Sequence, residues 1–332
     1  MKTRIAINGF GRIGRNLFRL LLNHPTIEVV AINDIADNKT MAHLAKYDSI
    51  HGVLNQKVSF NEDSIIIDGK SYLFFHEREI KNLDWKSVNI DIVIESTGKF
   101  KTFEEINQHI IAGAKKVILS APSEVEEIKT VVLGVNEHIL DGNETIISNA
   151  SCTTNNAAPM IKIIQDLCEI EQAYITTVHS YTTDQSLHDQ PHKDLRRARG
   201  ATQSIVPTTT GAAKALTKIF PELDGKIGGC GIRVPVPDGS LTDITFNVKR
   251  QVSIEEINQA FKKSAETNFK GILDYTEDPI VSVDIIGNQN SCLFDAQLTS
   301  VIDKMVKIVG WYDNEIGYSS RLIDLITFVS KK

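Results

Sequence analysis

The feature that constrains this chain most is a glycine pattern near its start, Gly9-Phe10-Gly11-Arg12-Ile13-Gly14. It follows an apolar strand candidate, Arg4–Asn8, and precedes a helical pattern over Arg15–Leu22. In such a turn the first glycine permits a tight bend, the second leaves room for a pyrophosphate, and the third lets the helix pack on the strand. The pattern therefore predicts a strand–turn–helix unit whose helix N-terminus faces an anion.

An acidic residue distinguishes a dinucleotide site from a turn that serves only packing. Asp34 lies twenty positions after Gly14, at the end of the strand candidate Glu28–Asn33. A carboxylate there accepts hydrogen bonds from the adenosine ribose and repels a 2′-phosphate. We therefore predict that Gly9, Gly11, Gly14 and Asp34 bind a dinucleotide, with NAD preferred over NADP.

Strand and helix patterns alternate through the first half of the chain. A capping box, Thr102 with Glu105, opens a helix over Phe103–Gly113. Alternation of this kind predicts an α/β domain with a Rossmann-type doubly wound parallel sheet, here over residues 1–150. Its further strand candidates are Asp91–Ser96, Lys116–Ser120 and Glu144–Ser148.

The second half of the chain has a different pattern. Long β-rich stretches, Ile232–Val252 and Ile280–Val309, have short connections and few helices between them, which predicts a mostly antiparallel sheet. We therefore expect an α+β catalytic domain over residues 151–313. A helical stripe in residues 314–332 predicts a C-terminal helix, which we expect to pack back on the NAD-binding domain.

Composition excludes several classes of partner. The 36 Lys and Arg residues against 42 Asp and Glu give a net charge of −6, so no basic field attracts nucleic acid or an anionic membrane. No apolar run reaches the length of a membrane span, and Met1–Arg4 leads into a strand pattern without a signal peptide. Four scattered cysteines suggest free thiols rather than a disulfide framework. We expect a cytoplasmic protein.

One of those cysteines lies in a polar run at the end of a strand candidate. In Ser151-Cys152-Thr153-Thr154-Asn155, a helix is expected to begin at the cysteine. Backbone N–H groups and the helix dipole stabilise a thiolate at such a position, which suits a nucleophile. A buried structural cysteine is the alternative, and it fits Cys168, Cys230 and Cys292 better.

A cysteine nucleophile needs a base or an ion-pair partner. His179 lies in the β-like run Thr176–Thr182, 27 residues after Cys152. The chain has nine histidines, so spacing alone does not select this one, and a histidine packed in the core remains the alternative.

Five segments together resemble the phosphorylating glyceraldehyde-3-phosphate dehydrogenase family. They are Gly9–Gly14, Ser151–Asn155, His179–Thr182, Pro207–Gly211 and Trp311–Gly317. The resemblance runs in order over essentially the whole chain, and the Ser-Cys-Thr-Thr-Asn string is its most specific part. One departure is Asn156, which stands where the family often has a second cysteine.

The resemblance implies a glycolytic or gluconeogenic enzyme that converts D-glyceraldehyde 3-phosphate, inorganic phosphate and NAD to 1,3-bisphosphoglycerate and NADH. Cys152 is the implied nucleophile, which passes through a thioester. His179 is implied to stabilise its thiolate and to take up the hydroxyl proton. The family implies a homotetramer, and we expect no metal site.

Two anion sites are also implied, one for the phosphate of the substrate and one for inorganic phosphate. Arginine suits both through forked, charge-assisted hydrogen bonds. The implied phosphate contacts are Ser151, Thr153, Thr182, Arg197, Thr210, Gly211 and Arg233. The further implied cofactor contacts are Arg12, Ile13, Arg78, Ser120 and Asn314.

Three alternatives remain at this point. Erythrose-4-phosphate dehydrogenase shares the cysteine chemistry but acts on a longer aldehyde and releases its acyl group by hydrolysis. Aspartate-semialdehyde dehydrogenase shares the nucleotide domain but lacks the Ser151–Asn155 string. A catalytically silent nucleotide- or RNA-binding module is disfavoured by the intact Cys152, His179 and Arg233 and by the net charge of −6.

Overall fold

The computed structural model of the protein describes residues 2–331. Met1 and Lys332, the first and last residues of the expected domains 1–150 and 314–332, lie outside the described residues. The chain divides into two units. Among the described residues, the first comprises 2–131, Glu137–Ala150 and 319–331, and the second comprises Val132–Asn136 and Ser151–Tyr318.

The first unit is built on a mainly parallel sheet. Its strands are β1 (Thr3–Asn8), β2 (Ile27–Asn33), β3 (Tyr47–Asp48), β4 (Gly52–Val53), β5 (Val58–Phe60), β6 (Ser64–Ile67), β7 (Lys70–Phe75), β8 (Ile92–Glu95), β9 (Lys116–Leu119), β10 (Lys129–Thr130) and β11 (Ile146–Ser148). Nine of these described strands form one sheet in the order β10-β11-β9-β8-β1-β2-β7-β6-β5. All pairs are parallel except β7–β6 and β6–β5, so the predicted doubly wound parallel sheet is confirmed.

Three helices of the first unit follow its parallel strands. They are α1 (Arg12–Leu21), α2 (Asn38–Lys46) and α3 (Phe103–Ile111). The predicted capping box is present at the start of α3, where the Thr102 hydroxyl accepts from Glu105 N and the Glu105 carboxylate accepts from Thr102 N. Gly11 occupies the N-cap of α1 and provides no side-chain cap, which leaves that helix end open.

The core of the first unit combines apolar packing with one buried polar network. Trp85 packs among the apolar side chains beneath β8 and α3 and donates from Nε1 to Nδ1 of His109 at 3.0 Å. The Nε2 atom of His109 lies 3.1 Å from the Glu95 carboxylate, which also accepts from the Asn8 amide. These contacts fix the ends of β1 and β8, where the glycine turn begins.

The second unit contains the mostly antiparallel sheet that the sequence predicts. Its strands are β12 (Ile170–Ser180), β13 (Val206–Thr208), β14 (Ile227–Val234), β15 (Ser240–Val248), β16 (Leu273–Thr276), β17 (Cys292–Asp295), β18 (Ser300–Ile302) and β19 (Met305–Tyr312). The order is β13-β14-β12-β15-β19-β17-β16, with β18 also on β19. Only the β12–β14 and β16–β17 pairs in this described sheet are parallel.

Three helices of the second unit pack on this sheet, α4 (Cys152–Cys168), α5 (Ala212–Ile219) and α6 (Ile254–Glu266). The last helix of the chain, α7 (Ile316–Val329), begins in the second unit and belongs to the first from Ser319 onward. A capping box of Ser253 and Glu256 opens α6. Phe261 of α6 stacks on Phe294 of β17 with ring centroids 3.8 Å apart, which joins this helix to the sheet.

Candidate active site

Cys152 is the first residue of α4, as the sequence predicts. Ser151 is the N-cap, and its hydroxyl accepts a hydrogen bond from Thr154 N at 3.1 Å. This cap fixes the start of the helix, so Cys152 lies where first-turn N–H groups and the helix dipole favour a negative charge.

Sheet register brings His179 and Arg233 together. The parallel pairing of β12 with β14 places His179 directly beside Arg233. The Nε2 atom of His179 lies 3.4 Å from Cys152 Sγ, while Nδ1 lies 2.5 Å from Arg233 Nη1 and 2.8 Å from the carbonyl oxygen of Ser180. One imidazole ring therefore links the thiol to a guanidinium group, and residues separated by up to 81 positions form one cluster.

The electrostatics of this cluster determine its protonation. Burial, with the neighbouring charge of Arg233, lowers the pKa of His179 to about 3, so the imidazole is neutral at pH 7. Burial raises the pKa of the Cys152 thiol, while the charge of Arg233 and hydrogen bonds from Thr153 lower it. Arg233 is therefore the cation that lowers the pKa of the Cys152 thiol, and His179 Nε2 is placed to accept its proton.

Tyr312 completes the buried side of the cluster, and the sequence did not single it out. Its hydroxyl lies 2.9 Å from Thr153 Oγ1 and 2.9 Å from Thr177 Oγ1, and its ring meets the His179 ring edge to face. Burial raises the pKa of Tyr312. The hydroxyl of Thr153, expected to contact phosphate, is thus turned towards Tyr312. Tyr312 is the last residue of β19, and the pairing of β19 with β15 sets its position.

The remaining predicted phosphate residues are a second arginine, Arg197, and the residues Thr182, Thr210 and Gly211. Arg197 donates from Nε to Thr208 Oγ1 at 2.8 Å and forms an ion pair with Asp184. Thr210 follows β13, and its hydroxyl accepts from Ala212 N at 3.2 Å, while Gly211 is the exposed N-cap of α5. Thr182 is half-buried just after β12. The pairing of β13 with β14 places Val206 opposite Arg233 and Thr208 opposite Gly231, and Thr210 and Gly211 follow just after this strand.

Asn314 follows β19 in the second unit and has two hydroxyl partners. Its Oδ1 atom accepts hydrogen bonds from Ser180 Oγ at 2.9 Å and from Ser240 Oγ at 2.7 Å. Neither serine was predicted as a site residue, although Ser180 lies within the His179–Thr182 run that carries the resemblance.

The glycine turn in the first unit has the geometry that a pyrophosphate requires. Gly9 has φ +95°, and a Cβ there would lie 2.7 Å from Thr97 N. A Cβ on Gly14 would lie 2.2 Å from the carbonyl oxygen of Gly9, so helix and strand approach too closely for any side chain. A Cβ on Gly11 would meet nothing within 4 Å, which leaves open space at the N-terminus of α1. The residues present therefore fit a dinucleotide.

A cavity of about 450 Å³ adjoins this turn. Asp34 lies at its wall, where Oδ2 accepts from Phe10 N at 2.8 Å and Oδ1 accepts from Ala36 N at 3.2 Å. The carboxylate is therefore tied to the glycine turn before any ligand binds. The predicted cofactor residues that line the cavity are Gly9, Gly11, Asp34 and Arg78.

The other predicted cofactor residues of the first unit are placed differently. The Arg12 guanidinium donates two hydrogen bonds to Asp48, at 2.5 and 3.1 Å. Burial alone would raise the pKa of Asp48, but Arg12 and the N–H groups of His51 and Ile50 lower it to about 2. Ile13 is half-buried in the first turn of α1, and Ser120 follows β9, where its N–H donates to the carbonyl oxygen of Glu95.

Fold and site together define a dinucleotide-dependent oxidoreductase that uses a cysteine nucleophile. The model of the glyceraldehyde 3-phosphate dehydrogenase NAD-binding domain matches residues 3–103, and the model of the C-terminal domain of the same family matches residues 151–314. The chain belongs to the glyceraldehyde-3-phosphate dehydrogenase family.

Curated relatives extend this similarity over full length. The chain is 53% identical to glyceraldehyde-3-phosphate dehydrogenase 2 of Streptomyces avermitilis, covering 100% of both chains. It is 51% identical to glyceraldehyde-3-phosphate dehydrogenase of Geobacillus stearothermophilus, covering 100% of this chain and 99% of the relative. It is 49% identical to glyceraldehyde-3-phosphate dehydrogenase 1 of Bacillus subtilis with the same coverage. Among the described residues, no helix is long and apolar enough to cross a membrane.

The position of Asp34 leads to a prediction about cofactor choice. Asp34→Ala should lower kcat/KM for NAD by about tenfold or more, because a charge-assisted hydrogen bond to the ribose is lost. The value for NADP should change little or rise, since the repulsion of a 2′-phosphate is also lost. Steady-state kinetics with both cofactors measures the ratio, with thermal unfolding as the control for loss of the Phe10 contact. Equal efficiency of the two cofactors in the unmutated protein would contradict the assignment.

The thiol environments lead to a second prediction. Iodoacetamide should alkylate Cys152 faster than the other three cysteines, because Arg233 and the start of α4 support its thiolate. Burial raises the pKa of Cys168 to about 11 and also raises that of Cys292, so half-exposed Cys230 is the main competitor. His179→Asn should slow alkylation near neutral pH, since it removes the ring nitrogen that accepts the thiol proton and so favours the thiolate. Peptide mapping after brief labelling checks both statements, and preferential labelling of another cysteine would refute the first.

Proposed function

We propose that the protein oxidises D-glyceraldehyde 3-phosphate with NAD and inorganic phosphate, and that it releases 1,3-bisphosphoglycerate and NADH. The observation that carries this proposal is the 3.4 Å contact between Cys152 Sγ and His179 Nε2 at the start of α4, beside Arg233. This reaction serves glycolysis and gluconeogenesis.

Cys152 and His179 divide the covalent chemistry between them. The sulfur adds to the aldehyde carbon, and the thiol proton passes through His179 Nε2 to the oxygen, which gives a hemithioacetal. Nε2 then takes up the hydroxyl proton as a hydride leaves the carbon, which becomes a thioester carbonyl. The N–H of Cys152 and the imidazole stabilise the oxyanion. A phosphate oxygen attacks the thioester carbon, and the sulfur leaves as a thiolate, which restores the starting state.

Two groups of residues are proposed to hold the two phosphates. Arg233 and Thr182 contact the phosphate carried by the substrate, while Thr210 and Gly211 contact the attacking inorganic phosphate at the start of α5. Arg197, Ser151 and Thr153 complete the anion sites. Support comes from the pairing of β13 with β14, in which Val206 lies opposite Arg233 and Thr208 opposite Gly231, so that Thr210 follows two residues after a strand paired with that of Arg233.

NAD, when bound, accepts the hydride that leaves the hemithioacetal carbon. The glycine turn provides N–H groups and open space for its pyrophosphate, and Asp34 accepts from its ribose. The carboxamide of the nicotinamide is assigned to Asn314. The complete set of proposed cofactor residues is Gly9, Gly11, Arg12, Ile13, Gly14, Asp34, Arg78, Ser120 and Asn314.

The same proposal covers domains, assembly and compartment. Residues 1–150 form the NAD-binding domain, residues 151–313 the catalytic domain, and the C-terminal helix in 314–332 joins the first.

A homotetramer accounts for Leu187, Leu195 and Ile205, which are 66%, 82% and 69% exposed. Sedimentation at the mass of four 36.9-kDa chains tests it, and a monomer would refute it. A cytoplasmic location suits the four free cysteines.

A phosphate-dependent assay of NADH formation tests the main proposal. Purified protein is given glyceraldehyde 3-phosphate or erythrose 4-phosphate, each with and without inorganic phosphate. Rapid NADH formation should require both glyceraldehyde 3-phosphate and phosphate. Faster, phosphate-independent turnover of erythrose 4-phosphate would instead establish the alternative dehydrogenase.

A further inference from the structure

The Asn314 side chain is held by two buried hydroxyl groups from neighbouring strands. Ser180 ends β12 and Ser240 begins β15, and their side chains are 0% and 1% exposed, against 6% for Asn314. Both hydroxyls donate to Oδ1, at 2.9 and 2.7 Å. Nδ2 has no hydrogen-bond partner among the described residues, so it is the polar atom that remains for a ligand.

The hydrogen-bond pattern favours the orientation in which Oδ1 of the amide is turned towards the serines. Ser240 Oγ accepts from Ser180 N at 3.1 Å and still has its own hydrogen to donate to Asn314 Oδ1. Rotating the amide by half a turn would remove the acceptor from two buried hydroxyl hydrogens and place N–H groups against them. Buried donors without an acceptor are costly, so the observed orientation is strongly favoured.

We propose that Ser180 and Ser240 are positioning residues that hold the Asn314 amide so that it offers an N–H donor to a carbonyl oxygen. This inference rests on the proposed function, in which Asn314 contacts the nicotinamide carboxamide. An Asn314 amide in this orientation selects a ligand whose pyridine ring carries a hydrogen-bond acceptor, such as a carbonyl oxygen. The amino group of the carboxamide is not needed for this contact.

The contacts of Ser180 allow its role in holding Asn314 to be tested without disturbing His179 and Arg233. Its carbonyl oxygen accepts from His179 Nδ1 at 2.8 Å and from Arg233 Nη1 at 3.0 Å, while only its hydroxyl reaches Asn314. Ser180→Ala removes the hydroxyl and leaves the carbonyl contacts. The alkylation rate of Cys152 should therefore stay within about twofold in this variant, even though cofactor binding weakens.

Titration calorimetry with NAD and with 3-acetylpyridine adenine dinucleotide provides the test. The acetyl analogue keeps the carbonyl oxygen and lacks the amino group, so the unmutated protein should bind it within about threefold of NAD. Ser180→Ala and Ser240→Ala should each raise the Kd for NAD about threefold, and together about tenfold or more. Ser291→Ala is the matched control, since that buried hydroxyl has no partner among the described residues and its loss should leave the Kd unchanged.

Asn314→Ala separates failure of this inference from failure of the proposed function. It should weaken NAD binding at least as much as the double serine variant, and adding the serine substitutions to it should cause no further loss. If Asn314→Ala weakens binding while the double serine variant binds like the unmutated protein, the positioning role is wrong. A tenfold weaker affinity for the acetyl analogue would show the reverse amide orientation and overturn the inference. Unchanged binding in Asn314→Ala would remove Asn314 from the proposed cofactor site and the inference with it.

Discussion

Cys152→Ser should lower kcat/KM for glyceraldehyde 3-phosphate by roughly 10⁴-fold or more. The proposed reaction needs an atom that adds to the aldehyde carbon and later leaves from the thioester. A hydroxyl does both poorly, because it ionises far less readily than a thiol at neutral pH. Arg233 and the N-terminus of α4 stabilise a thiolate, but their combined effect is too small to ionise a serine.

Stopped-flow measurement of NADH formation, with and without phosphate, checks this result. The Kd for NAD should remain within about twofold of the original, since the glycine turn and Asp34 are untouched. His179→Asn provides the comparison: it should lower the rate of hydride transfer while leaving a nucleophile in place. A loss of less than about tenfold in Cys152→Ser would exclude a covalent role for the sulfur.

Much of the fold is visible in the sequence because the central strands are buried on both faces. The candidates Arg4–Asn8 and Lys116–Ser120 correspond to β1 and β9 within one residue at each end. In the sequence such strands are continuous apolar runs with clear turn or polar residues at their ends. Helix α1 begins at Arg12, three residues before the predicted start at Arg15. The sequence did not indicate this start because the N-cap is Gly11, which provides no side-chain signal.

The antiparallel edge of the first sheet could not be predicted in the same way. Strands β5 and β6 have only three and four residues, and β7 alternates buried residues such as Tyr72 and Phe74 with exposed neighbours. Their place is set by pairing with each other and with β2, which is information that no local window contains. Helix α2 lies between these elements and was likewise not predicted.

For the site, local signals located the nucleophile, and long-range pairing located its partners. Cys152 sits at a strand end and helix start that can be recognised from adjacent residues. Spacing did not distinguish His179 from the other eight histidines, and only the resemblance selected it. The observed reason is register, since β12 and β14 pair in parallel with His179 opposite Arg233. Tyr312 and Ser240 reach the cluster through β15–β19 pairing, which carries no short motif.

Arg233→Ala should lower kcat/KM for glyceraldehyde 3-phosphate by tenfold to several hundredfold more than it lowers that for unphosphorylated glyceraldehyde. The phosphorylated substrate loses a charge-assisted contact that the other substrate never made. Both should also lose some rate, because Arg233 contacts His179 and its charge lowers the pKa of the Cys152 thiol. Without that charge the thiol pKa rises, so alkylation of Cys152 near neutral pH should slow but persist. Arg233→Lys keeps the positive charge but loses the forked pair of N–H donors, so its kcat/KM should lie between those of the unmutated protein and Arg233→Ala.

Thr210→Ala should affect a different step, because Thr210 is assigned to the attacking phosphate. It should raise the KM for inorganic phosphate and slow thioester release, while the first-turnover burst of NADH stays largely intact. Thr217→Ala on α5 is the matched control, since among the described residues that hydroxyl donates to Lys214 O of its own helix and to no other group. Burst amplitude and phosphate dependence, measured for each variant, separate the two roles. If Thr210→Ala abolishes the burst while Arg233→Ala impairs both aldehydes equally, the assignment of the two phosphate sites is wrong.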